Sequence, residues 1–108
     1  MADRVRPAPA ERFITYALAI GALELVPEGR KLKNGRISPY FFNSGLFNTG
    51  EAIDEISSAY SDVITRKFAD ANGKPVFDLL YGPPYKGTIL VPVIASDQFY
   101  FGLGSIRF

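Results

Sequence analysis

The 108-residue chain carries twelve Lys plus Arg against eleven Asp plus Glu, a net charge of +1, with 47% hydrophobic and 14% aromatic residues. This is the profile of one globular domain or part of one; it excludes a disordered charged tail and a field strong enough for indiscriminate binding to nucleic acid or an anionic membrane. With no Cys and no His, the chain cannot itself supply thiolate or imidazole zinc ligands, a Cys or Ser–His nucleophile relay, or a disulfide, so acid–base work falls to Lys, Asp, Glu or Tyr.

The first ten residues, with Arg4, Arg6, Pro7 and Pro9 and no apolar run, do not read as a secretory signal, and no stretch is long enough to span a bilayer; a cytoplasmic location is the expectation. From Glu11 to Leu25 the residues Phe13, Ile14, Ala17, Leu18 and Leu25 recur at helical spacing and predict a first amphipathic helix entered after Pro9, which Pro27 and Gly29 then break. Arg30-Lys31-Leu32-Lys33 meets Asn34-Gly35, a dipeptide tolerant of positive φ. That predicts a tight turn between two short antiparallel strands, the second through Ile37 to Phe42. After a loop marked by Gly45 and Asn48-Thr49-Gly50, an apolar stripe of Ile53, Ile56, Tyr60, Val63, Ile64 and Phe68 predicts a second helix ending at Asn72-Gly73. Val76 to Tyr81 reads as a short buried strand stopping at Gly82-Pro83-Pro84. Thr88 to Ala95 stays open between extended and helical: its β-branched residues and Pro92 favour the first, its place after a strand and loop the second. Ser105 to Phe108 reads as the start of a further strand.

Three stretches could carry chemistry. Arg30, Lys31, Lys33 and Arg36 gather around one turn, where ammonium and guanidinium groups can meet a phosphate, although the same charges also suit a merely solvated hairpin. Tyr40-Phe41-Phe42 follows at once. Side chains alternate along a strand, so at least one ring faces away from its neighbours and is free to stack on a planar heterocycle, with Asn43 or a backbone amide at its polar edge; packing against a helix is the plainer role. The loop Tyr81-Gly82-Pro83-Pro84-Tyr85-Lys86-Gly87 follows the predicted strand where open α/β sheets bind ligands, with glycines that permit close backbone approach and Lys86 to project a charge. It is not the nucleotide-hydrolase phosphate loop, which needs Gly-Lys-Ser or Gly-Lys-Thr. Asp54, Glu55 and Asp78 form no convincing metal pair and receive no catalytic role.

Together the run from Leu32 to Gly50, LKNGRISPYFFNSGLFNTG, and the run from Tyr81 to Gly87, YGPPYKG, closely resemble the N-terminal half of the orotate phosphoribosyltransferase family, with the likeness extending from about Phe13 through Ala95. The resemblance implies an α/β chain with an incomplete type I phosphoribosyltransferase-like fold: an N-terminal helix, a β-hairpin, a helix and the start of a parallel sheet. It implies transfer of the 5-phosphoribosyl group of phosphoribosyl pyrophosphate (PRPP) to orotate, giving orotidine monophosphate and pyrophosphate in pyrimidine synthesis, with Mg²⁺ accompanying PRPP and a homodimeric habit. Carried across by position, it implies that Lys33, Tyr85 and Lys86 meet PRPP and that Phe41 and Phe42 line the orotate site.

The family's mobile basic loop and its acidic-pair-Thr-Gly strand-loop have no counterpart in residues 1–108. The expectation is therefore a single truncated N-terminal portion, inactive alone, in which Asp97 to Phe108 departs from the family's usual helix. Two other readings stand beside it. One is a non-catalytic protein pairing with a full-length enzyme through an exposed sheet edge. The other is a single-stranded nucleic-acid module using Arg30, Lys31 and Arg36 beside Tyr40 to Phe42, which the near-zero net charge disfavours, so neither nucleic acid nor membrane is an expected partner.

Overall fold

The computed structural model describes residues 8–100 and 102–108, and the chain divides into two compact units, Met1–Phe47 and Asn48–Phe108. The first unit holds helix α1 (Pro9–Ala19), strands β1 (Leu23–Lys31) and β2 (Ile37–Phe42), and a 3-10 turn at Ser44–Leu46. Helices α2 (Gly50–Lys67) and α3 (Lys86–Tyr100) make up the second.

Pro9 opens α1 where a missing N–H costs nothing. The helix ends before the predicted Leu25. Gly21, at φ +78°, turns the chain into the left-handed region; its N–H donates to the Leu18 carbonyl at 3.2 Å, and the Ala22 N–H to that of Ala17 at 2.9 Å. These two bonds satisfy carbonyls the helix would otherwise leave open. Leu25 consequently lies in β1, 70% exposed, and its helical spacing from Leu18 is coincidental.

Pro27 and Gly29 do not interrupt β1 either, because it carries an irregularity: Leu25 pairs with Tyr40 and Arg30 with Ser38, so four residues of β1 stand opposite one of β2. Proline and left-handed glycine are both tolerated in such a bulge, where ladder bonds are already lost. Gly29 sits there at φ +87°, with the Ile37 side chain filling the space a Cβ would need. On the other strand buried Ser38 compensates, its hydroxyl donating to the Tyr40 carbonyl at 2.7 Å and accepting from the Tyr40 N–H at 3.3 Å.

The hairpin forms as predicted. Leu32 N–H donates to the Arg36 carbonyl at 2.8 Å and Gly35 N–H to that of Leu32 at 2.9 Å, closing a three-residue loop of Lys33, Asn34 and Gly35 with Gly35 at φ +86°. Beneath it lies an aromatic cluster: Phe47 is 5% exposed and stacks on Phe13 at 5.7 Å, with Phe42 at 5.9 Å and Tyr16 at 6.2 Å. Such ring pairs contribute about 0.5–1.5 kcal/mol each beyond their burial.

In the second unit Thr49 caps α2, its hydroxyl accepting from the Ala52 N–H at 3.1 Å. The helix ends at Lys67 rather than at Asn72-Gly73. Asp70 captures the amides of Asn72 and Lys74, each at 2.9 Å, and Ala69 bridges to Pro75; the carboxylate offers the backbone a turn in competition with the helix. The Thr88–Ala95 segment is helical, part of α3, with Pro92 inside it.

Val76 to Tyr81 is not a buried strand. Val76, Leu79 and Tyr81 are 62%, 57% and 77% exposed, and the segment makes one parallel bridge, Leu79 to Arg107, with Leu80 N–H donating to the Arg107 carbonyl at 2.8 Å. A strand exists by pairing, and one bridge is too little to form a ladder. That bridge is also all that Ser105 to Phe108 contributes to a strand, so the one sheet among the described residues is the antiparallel β1–β2 pair.

Candidate functional site

Two elements carry the residues singled out in the sequence, one in each unit. On the hairpin, Lys33 is the first residue of the closing loop and is exposed, while the Asn34 side-chain oxygen accepts from the Arg36 N–H at 3.0 Å. The loop is thus held by its own backbone and Asn34, leaving the Lys33 ammonium no structural task in the turn.

Phe41 and Phe42 divide as strand alternation requires. Phe42 joins the cluster with Phe13, at 6.2 Å, and Phe47, yet keeps 41% of its surface exposed. Phe41 is half-buried on the other side of the strand, and the Arg30 guanidinium carbon stands 3.9 Å from its ring centroid. That is a cation–π contact. Arg30 Nη1 also donates to Glu24 Oε2 at 3.2 Å. Glu24 is directly opposite Phe41 in the ladder, so carboxylate, guanidinium and ring form one group. By sequence Arg30 belongs with the turn's cations, and with β1 taken to begin after Gly29 nothing sets Glu24 beside Phe41. The alternation of β1 through its bulge was the signal available. Asn43 does not hold its side-chain oxygen out for a ligand; it accepts from the Gly45 N–H at 3.0 Å and caps the 3-10 turn.

The second element is the loop before α3. Gly87 N–H donates to the Pro83 carbonyl at 3.0 Å, the Thr88 hydroxyl to the Gly82 carbonyl at 3.3 Å, and a Cβ on Gly87 would come within 2.8 Å of the Gly82 backbone. The close approach these glycines permit is therefore to each other. The Pro84–Tyr85 peptide bond is cis. Tyr85, 86% exposed, and Lys86, the exposed first residue of α3, stand out from this pinched loop side by side.

No group of three or more acidic side chains suited to a metal ion occurs among the described residues. No helix among the described residues is long and apolar enough to cross a membrane.

Comparison with known proteins gives this geometry a context. No protein-family model matches the chain. Over 86 residues it is 44% identical to the orotate phosphoribosyltransferase of Halorhodospira halophila, covering 79% of this chain and 36% of that protein. The enzyme of the same name from Marinobacter nauticus is 42% identical over 85 residues, with the same coverage of 79% and 36%. A crystal structure of orotate phosphoribosyltransferase from Francisella tularensis aligns with a TM-score of 0.64 at 40% identity, covering 78% of this chain and 38% of that one. The architecture is accordingly α/β, part of a type I phosphoribosyltransferase fold. More particularly, over about four-fifths of its length the chain is homologous to orotate phosphoribosyltransferases, and it spans little more than a third of the relatives it matches.

Proposed function

We propose that the chain carries part of the substrate-binding apparatus of an orotate phosphoribosyltransferase, the cytoplasmic enzyme of pyrimidine synthesis that joins orotate to the phosphoribosyl group of PRPP. The observation that supports this most is that identity of about 40% with such enzymes coincides with a Lys33-bearing hairpin and a pinched Tyr85-Lys86 loop, both held by backbone so that their cations are exposed.

In this reaction the bond from the ribose anomeric carbon to the pyrophosphate oxygen breaks, its electron pair leaving with pyrophosphate, and a pyrimidine nitrogen of orotate forms the new bond to that carbon. Mg²⁺ held on PRPP would share in neutralising the pyrophosphate as it leaves. Lys33 and Lys86 offset the negative charge that grows on the leaving group, a form of help worth about a hundredfold or more per well-aimed group. Tyr85 bounds the phosphate path beside Lys86. The Phe41–Phe42 stretch of β2 lines the orotate site, one of its two oppositely facing rings meeting the pyrimidine, which turns encounter into alignment. Because the matched stretch is just over a third of its relatives, the 108-residue polypeptide alone is expected to give no turnover, and homodimerisation is expected of the whole assembly.

The test is a chimera in which the matched 86 residues replace their counterpart in the Halorhodospira halophila enzyme. It should form orotidine monophosphate, and Lys86→Ala in it should lower kcat/KM for PRPP by about a hundredfold or more. A folded chimera with no activity, or an unchanged Lys86→Ala variant, contradicts the reading. So does turnover by the purified 108-residue chain, as regards its inactivity.

A further inference from the structure

The chain carries two Asn-Gly bonds, Asn34–Gly35 in the hairpin loop and Asn72–Gly73 in the turn after α2. Glycine after asparagine leaves the backbone nitrogen unshielded, so that it can reach Cγ of the asparagine side chain and close a five-membered imide ring. The two turns are alike in most respects that govern this reaction. All four residues are exposed, and both glycines lie in the left-handed region, Gly35 at φ +86° and Gly73 at φ +78°. Both glycine N–H groups are engaged in the same way, Gly35 donating to the Leu32 carbonyl at 2.9 Å and Gly73 to that of Asp70 at 3.0 Å. They differ at the side chain under attack. Asn34 Oδ1 accepts from the Arg36 N–H at 3.0 Å, which fixes that amide on the turn. In the second turn the corresponding role falls to Asp70, whose Oδ1 accepts from the N–H groups of Asn72 and Lys74, each at 2.9 Å. The Asn72 side-chain amide is left with no partner among the described residues and rotates without breaking a bond.

We propose that Asn72 is a site of spontaneous deamidation, and that the bond from the Arg36 N–H to Asn34 Oδ1 guards the same dipeptide beside Lys33. The Gly73 backbone nitrogen gives its proton to solvent base and attacks Asn72 Cγ. A new C–N bond forms there as the bond from Cγ to the side-chain nitrogen breaks, and that nitrogen leaves as ammonia. Water then opens the succinimide at either carbonyl, giving aspartate or isoaspartate, so the net change is amide plus water to carboxylate plus ammonium. At position 72 the new carboxylate lies close in sequence to Asp70, and their repulsion weakens the turn that the Ala69–Pro75 bridge closes. At position 34 it would adjoin Lys33 and offset the exposed ammonium there, so the guard preserves the charge of the hairpin. The chemistry needs no ligand and holds whatever the chain binds.

Peptide mapping by mass spectrometry of the 108-residue chain held at mildly alkaline pH, with isoaspartate counted by its enzymatic methylation, tests the proposal. The peptide holding Asn72 should gain the mass that separates aspartate from asparagine about fivefold faster than the peptide holding Asn34, the factor that one ordinary hydrogen bond sets. In urea, where both turns are open, the two rates should converge. Asn72→Gln should show no gain at position 72, because the longer side chain must close a six-membered ring, and an unchanged rate at Asn34. Equal rates in the folded chain, or Asn34 ahead, overturn the proposal. A lead of Asn72 that persists undiminished in urea overturns the guard, since the difference then belongs to the flanking Lys33 and Ala71. Failure of Asn72 to convert in the folded chain while it converts in urea overturns the site, as does a mass gain that stays in the same peptide of Asn72→Gln.

Discussion

The two units solve the problem of a small core differently. In residues 8–47 large rings meet large rings, Phe13, Tyr16 and Phe42 each lying within 6.2 Å of Phe47, and Ala17 and Ala22 are fully buried. In residues 48–108 the buried side chains are small and partly polar, Ala52, Ile56, Ser57 and Ser61 on α2 and Ile94, Ala95 and Gln98 on α3. Gln98 is fully buried; its Nε2 donates to the Ser61 carbonyl at 3.3 Å, and Ser61 donates to Asp97 Oδ2 at 3.4 Å. Its Oε1 has no partner among the described residues, and an unpaired buried oxygen costs about 1–3 kcal/mol. Meanwhile Val76, Leu79, Ile89, Phe99 and Phe108 are mostly exposed. Both units leave large apolar side chains outside, Leu25 and Ile37 in the first among them; what differs is the core, built on clustered rings in the first and on small and polar side chains in the second.

Substitutions can break or sharpen that contrast. Phe47→Ala should be the most damaging, costing about 3 kcal/mol or more and exposing the hairpin amides to hydrogen exchange; a loss below about 1 kcal/mol would mean the rings are not the core. Gly87→Ala sets a Cβ against the Gly82 backbone, and should cost about 1–3 kcal/mol, read as lower urea resistance of α3 with the hairpin unchanged. Gln98→Met keeps the volume and removes the unpaired oxygen, whose relief of about 1–3 kcal/mol outweighs the long 3.3 Å bond from Nε2 to the Ser61 carbonyl that is lost with it, about 1 kcal/mol, so it should stabilise the second unit slightly, visible as a raised unfolding midpoint. Destabilisation there would show that the amide is better satisfied than the Oε1 geometry indicates. Asp62→Ala breaks the exposed pair with Arg66 at 2.8 Å, and should shift stability by only about 0.3–0.5 kcal/mol, less at high salt.

The hairpin was legible because its determinants are local: Asn34-Gly35 dictates the loop and β2 alternates. The end of α1 was misjudged at Leu25 although Gly21, the residue that stops it, was in plain view, since apolar spacing was followed past a glycine terminator. Val76 to Tyr81 reads as a strand by composition, but pairing is a property of what lies beside a segment, and composition does not contain it. For the candidate site, turn chemistry, aromatic alternation and family likeness mark Lys33, Phe41, Phe42, Tyr85 and Lys86 as the residues to test. The Glu24–Arg30 couple was not legible, because it depends on a bulge that brings residues six apart in sequence into contact.

Pro92 lies six residues into α3 and has no N–H to give to the carbonyl of Thr88, one turn back. One rung of the helical ladder is therefore absent between the turn that begins at Lys86 and the remainder that packs on α2. Amide protons on the two sides of that gap should exchange with solvent at different rates, slow where Ile94, Ala95 and Gln98 are enclosed and fast ahead of the proline. The lysine proposed to meet the phosphates thus stands on the turn ahead of the missing rung, tied to the loop before it by the Gly87–Pro83 bond.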